Sequence, residues 1–225
     1  MERLLEHLIR YMLYEDIGYG DITTELLVPE DQYSDAVIIA KSDTVIAGLI
    51  FVEDVFRFLQ TDITFRSYMS DGDYVISGTE IASLRGKTRT LLSGERVALN
   101  ILQRLSGIAT LTREYVEAVK DTPAVVVDTR KTTPMFRLFE KYAVRVGGGR
   151  NHRFGLFDGI LIKDNHISSA GGVKRALEKV KNNVPHLMKV EIEVTNIEEF
   201  REAIKAGADV VLLDNMSVED VKRAV

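Results

Sequence analysis

The 225-residue sequence contains no cysteine, which excludes disulfides and thiolate metal sites. It contains no apolar run of membrane-spanning length. Its first residues, MERLLEHLIRYMLYED, are charged throughout. They lack the apolar core and small-residue cleavage site of a secretory signal, so a cytoplasmic protein is expected. Positive charge is in the minority, with 29 Lys and Arg against 34 Asp and Glu and a formal net charge of −5. Nucleic-acid binding is therefore not expected, and any anion site must come from local clustering. No GxGxxG follows a strand, and neither His152 nor His166 stands in HExxH or similar zinc spacing. No internal repeat is present. What is there, 45% apolar and 28% charged residues, suits one large globular domain or two smaller ones.

Leu4, Leu5, Leu8, Ile9, Met12 and Leu13 recur at helical spacing, which predicts an amphipathic helix over 2–14. Residues 16–24 read as a turn-rich connector. Residues 36–84 read as short strands around one helix at 50–59, an α+β pattern. Residues 90–119 are helical, with Gly107 expected to split them into two helices. From residue 121 strands and helices alternate: strands at 124–128, 159–163, 189–194 and 208–214, helices at 136–146, 172–181, 197–206 and from 218. Continuous apolar strands alternating with helices predict a parallel sheet covered on its outer face, of the barrel type. The expected class is thus α/β, with an N-terminal α+β domain over 1–108 and a parallel α/β barrel domain over 109–225.

In such a fold, function gathers at the C-terminal ends of the strands. The first of these strands ends in Asp128-Thr129-Arg130-Lys131-Thr132-Thr133-Pro134, and the helix after it ends in Gly147-Gly148-Gly149, then Asn151-His152-Arg153. Lys163-Asp164-Asn165-His166 and Asp214-Asn215 close later strands. Arg130, Lys131, His152, Arg153 and Lys163 are expected to point toward one rim. Like charges packed together repel by roughly 1 kcal/mol or more unless an anion joins them, so an acidic protein with this cluster is expected to bind a strongly anionic ligand. Arg supplies a planar fork for carboxylate or phosphate. The three glycines stop the helix and are expected to let backbone approach that ligand. Glu191 and Glu193 alternate with Val190, Ile192 and Val194, so both face away from the helix-covered side. They form a structural ion pair with a neighbouring Lys or Arg, or they pair with lysines and help hold Mg²⁺-polyphosphate, with Asp214 as a further acid.

The segments EDIGYGDITT (15–24), GERVALNILQRLSGIAT (94–110), DTRKTTP (128–134), EKYAVRVGGGRNHRFGL (140–156), LIKDNH (161–166), VEIEV (190–194) and AGADVVLLDN (206–215) carry a resemblance to the quinolinate phosphoribosyltransferases, the carboxylating nicotinate-nucleotide pyrophosphorylases. The resemblance runs the length of the chain. It implies an N-terminal α/β sandwich followed by an incomplete α/β barrel. It implies transfer of phosphoribose from phosphoribosyl pyrophosphate to quinolinate with loss of CO₂, in NAD biosynthesis. It also implies Mg²⁺ and a homodimer whose site is shared between subunits. Thr129, Arg130, Lys131, His152, Arg153 and Lys163 match substrate-binding positions, and Arg96 matches an arginine given by the neighbouring subunit. Lys131, Lys163, Glu193 and Asp214 match catalytic positions, the last two near the ribose and magnesium. Two departures stand out: Met135-Phe136-Arg137 replaces an expected Gly-Leu-Arg, and further strands with a Ser-Gly-Gly loop are expected beyond Val225. The other readings are a molybdenum-associated relative of the same fold, a Schiff-base aldolase using Lys163 or Lys131, and a non-catalytic dimerisation module.

Overall fold

The structure is a computed structural model that describes residues 2–225, with side chains from Leu4 onward. It divides into two compact units, one ending at His152 and the other spanning Arg153–Val225. Among the described residues no helix is long and apolar enough to cross a membrane.

The first unit opens with α1 (Glu2–Ile17), whose Leu8, Ile9 and Leu13 are buried as the helical spacing requires. The expected connector at 16–24 contains a second helix, α2 (Ile22–Leu27). Its N-cap is Asp21, whose carboxylate accepts from the Thr24 N–H at 3.0 Å. Strands β1 (Tyr33–Ile39) and β2 (Thr44–Val45) precede α3 (Leu49–Leu59). Then come β3 (Thr64–Ser67), β4 (Tyr74–Val75) and β5 (Glu80–Lys87). An antiparallel sheet has the order β1-β5-β3, and β2 pairs antiparallel with β4. β3 had no clear sequence signal, because Thr-Phe-Arg-Ser offers only one apolar side chain to the core.

Helix α4 (Thr88–Ala118) runs unbroken, contrary to the expected split at Gly107. A helical glycine costs about 1 kcal/mol relative to Ala. Leu105, Ser106 and Ala109, all buried, hold the backbone on both sides of it, and burial outweighs that cost. The expected division at 108/109 falls inside this helix, whereas the compact units part at 152/153. Helix α5 (Arg137–Val146) packs on α4, and its fully buried Phe139 and Ala143 join the same core as Phe51, Val55, Ile101 and Leu105.

The expected strand at 124–128 is reduced to a single parallel bridge, Val127 to Arg150. With one bridging neighbour its β-branched side chains are not covered, and Val125 and Val127 are exposed. The glycine run ends α5 as expected. A Cβ on Gly147 would lie 2.6 Å from the carbonyl oxygen of Ala109, so this glycine lets α5 end against α4.

The second unit alternates β6 (Ile160–Ile162), α6 (Asp164–Ala170), α7 (Val173–Lys181), β7 (Val190–Val194), α8 (Ile197–Lys205), β8 (Val210–Leu213) and α9 (Val218–Ala224). The strands form a parallel sheet in the order β6-β7-β8. Val190, Ile192 and Val194 are buried with Val173, Leu177 and Ala203 from α7 and α8. Each fully buried aliphatic side chain contributes roughly 1.5–3 kcal/mol. The chain is therefore α/β as expected, an antiparallel-sheet unit followed by a parallel one covered by helices. Helix α6 was not foreseen: it begins directly at Asp164, in a segment that reads as a strand-end loop.

Candidate active site

In the first unit, the segment from Asp128 to Thr133 carries the cations expected at a strand end. Its local shape comes from short-range bonds. Thr129 Oγ1 accepts from the Lys131 N–H at 3.0 Å, which turns the backbone after Asp128. Arg137, at the start of α5, donates from Nε to Thr132 Oγ1 at 2.9 Å and from Nη2 to the Arg130 carbonyl at 3.4 Å. Met135 sits in the left-handed region at φ 65°. That is where the resemblance led to an expected glycine, and the residue's side chain is exposed.

Two buried carboxylates organise the polar interior of this unit. Asp128 accepts from Lys141 Nζ at 2.5 Å, from the His152 N–H at 2.8 Å and from Asn151 Nδ2 at 2.6 Å. Lys141 also donates to the His152 carbonyl at 3.0 Å. Both side chains of the Asp128–Lys141 pair are buried, at 7% and 5% exposure. Glu140 accepts from Arg104 Nη2 at 2.6 Å and from the Thr133 N–H at 3.2 Å. Arg104, Asp128, Thr129, Lys131, Glu140 and Lys141 line a cleft of about 230 Å³. In that cleft Arg104 is matched by Glu140 and Lys141 by Asp128, while Lys131 has no ion-pair partner among the described residues. The cleft therefore carries one surplus positive charge.

Arg130 adds a second signal. Its Nε is buried and has no hydrogen-bond partner among the described residues. Buried donors are nearly always satisfied, so this guanidinium nitrogen is a candidate ligand contact. Arg96, in α4, is exposed and has no hydrogen-bond or ion-pair partner among the described residues.

In the second unit, Arg153 Nη1 donates to the Gly159 carbonyl at 3.0 Å while its Nε is buried and unpartnered, like that of Arg130. Lys163 follows β6 and its Nζ lies 3.1 Å from Glu193 Oε2 on β7. The Lys163 N–H donates to His166 Nδ1 at 3.0 Å, so His166 fixes the strand-to-helix turn. Register places Glu191 opposite Val210 and Glu193 opposite Leu212. Asp214 lies two residues past Leu212 and so belongs to the same face as Glu193. Its N–H donates to the Val194 carbonyl at 2.9 Å, holding the two carboxylate-bearing strand ends side by side.

The five expected cations thus fall into two sets, Arg130, Lys131 and His152 in the first unit and Arg153 and Lys163 in the second. Glu191 and Glu193 face away from the α7 and α8 core, as the alternation required. No group of three His, Cys, Asp or Glu suited to a metal occurs among the described residues. Glu193 and Asp214 nonetheless fit magnesium that takes one or two protein carboxylates and completes its shell from substrate phosphates. The sequence reading did not single out Arg104, Glu140 or Lys141. Glu140 and Lys141 adjoin the core residue Phe139 in α5 and are buried with it, which their charge alone does not signal.

The chain is similar to known proteins over nearly its whole length. The family models for the N-terminal and C-terminal domains of quinolinate phosphoribosyl transferase match residues 21–106 and 108–225. The probable nicotinate-nucleotide pyrophosphorylase (carboxylating) of Bacillus subtilis is 46% identical over 218 residues, covering 97% of this chain and 75% of that protein. A mitochondrial quinolinate phosphoribosyltransferase (decarboxylating) of Nicotiana tabacum is 42% identical over 224 residues, covering 95% of this chain and 63% of that protein. The crystal structure of NadC from Streptococcus pyogenes superposes with a TM-score of 0.94 at 42% identity, covering 100% of this chain and 79% of that one. The chain belongs to the quinolinate phosphoribosyltransferase family.

Proposed function

We propose that this protein is a quinolinate phosphoribosyltransferase (decarboxylating), a pentosyltransferase of NAD biosynthesis. It joins quinolinate to the ribose of phosphoribosyl pyrophosphate and releases pyrophosphate and CO₂. Family membership supplies the reaction. The observations that carry it to these residues are a buried Nε on Arg130 in the first unit and another on Arg153 in the second, each without a partner among the described residues. Quinolinate carries two carboxylates, and a guanidinium fork suits each of them.

In the reaction the pyridine nitrogen forms a bond to the anomeric carbon as the bond from that carbon to pyrophosphate breaks. The electron pair leaves with pyrophosphate. The ribosylated ring is cationic and stabilises the electron pair left on the ring carbon when the neighbouring carboxylate departs as CO₂. A proton from solvent then replaces it. This chemistry needs position and charge rather than a nucleophile. In this reading Arg130, His152 and Arg153 hold the carboxylates, with Thr129 shaping their loop. Lys131 and Lys163 offset charge on the phosphoribosyl donor. Glu193 and Asp214 face the ribose and would hold Mg²⁺. When bound, that ion supplies charge stabilisation at the departing pyrophosphate.

The same reading makes the enzyme a cytoplasmic homodimer in which Arg96 serves the neighbouring subunit's site. Its exposure and its lack of a partner among the described residues support that role. CO₂ release from carboxyl-labelled quinolinate, with and without phosphoribosyl pyrophosphate, tests the activity. Release that does not depend on the donor would sink it. Mixing inactive Arg96→Ala and Lys163→Ala subunits tests the shared site: verified heterodimers should recover activity, and heterodimers that stay inactive would refute it.

A further inference from the structure

Glu140 and Lys141 are consecutive residues of α5, and both are buried, at 7% and 4% exposure. Adjacent buried charges are costly in a helix that needs only apolar packing, and apolar side chains of similar volume are often equally stable or better in such places. What these two do is grip the loop that carries Thr129, Arg130 and Lys131 at its two ends. Lys141 holds the start of the loop through Asp128. Glu140 holds its end through the Thr133 N–H, while Arg104 of α4 donates to Thr133 Oγ1 at 3.0 Å. The Asp128–Lys141 pair also holds the His152 peptide from both sides, Asp128 accepting from its N–H and Lys141 donating to its carbonyl. Arg137, in the first turn of the same helix, fixes the middle of the loop through Thr132 and the Arg130 carbonyl.

We propose that Glu140 and Lys141, with Asp128 and Arg104 as their counter-ions, are positioning residues that fix the directions in which Arg130, Lys131 and His152 present their donors. This deepens the functional reading above and rests on it. All four act through the loop and the His152 peptide that they hold. Their effect is pre-organisation: a loop tied at both ends loses little freedom when the ligand arrives.

The test is calorimetric titration of quinolinate and of its isomer pyridine-2,4-dicarboxylate into wild type, Lys141→Met, the charge-balanced pair Asp128→Asn with Lys141→Met, and Arg104→Gln. The Arg104 side chain is 54% exposed, so that variant keeps the test alive if the buried ones do not fold. Wild type should bind quinolinate and discriminate against the isomer. The variants should lose about tenfold or more in quinolinate affinity, and the ratio of the two affinities should shrink, because a donor misplaced by about an ångström costs a large part of its effect. A merely structural role would lower the melting temperature and leave the ratio unchanged. Folded variants that bind quinolinate within twofold of wild type with the ratio intact overturn the proposal. A wild type that ignores quinolinate overturns the functional reading, and this proposal with it.

Discussion

Lys163 and Glu193 meet across the junction of β6 and β7, with Nζ 3.1 Å from Oε2 and side chains 42% and 15% exposed. The carboxylate is the more buried partner, so removing the lysine leaves a charge with little solvent to screen it. Lys163→Ala and Glu193→Ala are each expected to lower kcat by about 10²-fold or more, the scale seen when a charge-stabilising group is lost from an active site. The cost in stability should be only about 1 kcal/mol, because the lysine end of the pair is solvated. Steady-state kinetics with a thermal melt separates the two effects. A variant that loses stability but keeps kcat would reduce the pair to scaffolding.

Arg130→Ala and Arg153→Ala should each weaken quinolinate binding by at least about tenfold, since a hydrogen bond to a charged group contributes about 1.5–3 kcal/mol. Arg→Lys should recover only part, because an ammonium cannot reproduce a two-pronged fork. Titration calorimetry reads this directly, and near-normal affinity in both alanine variants would contradict the assignment.

Tyr142 donates its hydroxyl proton to Asp71 Oδ2 at 2.5 Å, and Asp71 also accepts from the N–H groups of Gly48 and Leu49 at the start of α3. Burial first, and then the bond to Asp71, push the phenol above its ordinary value. The folded state therefore keeps this proton at pH values where the unfolded chain has released it. The resulting stabilisation is complete below about pH 10 and is lost as pH rises beyond it. Tyr142→Phe should cost about 1 kcal/mol at neutral pH. It should also flatten the decline in stability above pH 10, as measured by denaturant melts across the alkaline range. An equally steep decline in the variant would rule out Tyr142 as its source.

Met135 holds φ at 65° with its side chain exposed, so a side-chain residue bears a backbone conformation that costs roughly 1–2 kcal/mol and gains little packing in return. Met135→Gly should raise stability by up to about 1 kcal/mol, the relief being partly offset by glycine's extra freedom in the unfolded chain. A melting temperature that falls would show that the methionine makes contacts that matter.

The strongly periodic parts of the fold were legible in the residues. Val-Glu-Ile-Glu-Val could be read as a strand with one apolar face, and the stripe of α4 as a helix. Short or mixed segments were not. β3 has one apolar residue in four, and α6 starts on the residues that resembled a strand end. Gly107 reads as a break by local propensity alone, whereas the burial of Leu105, Ser106 and Ala109 on either side keeps α4 continuous. The cations of the site were visible as types placed after strands. The residues that orient them were not, since Glu140 and Lys141 look like ordinary surface charges until the helix is packed and both prove to be inside.

Gly147 ends α5 against the α4 backbone at a distance that leaves no room for a Cβ. Lys141 stands in α5 six residues before Gly147, so its reach to Asp128 is referenced to α4 through a hydrogen atom where any other residue would put carbon. The accuracy of the loop is set as a tolerance between two rods, and the smallest side chain in the protein is the shim that sets it.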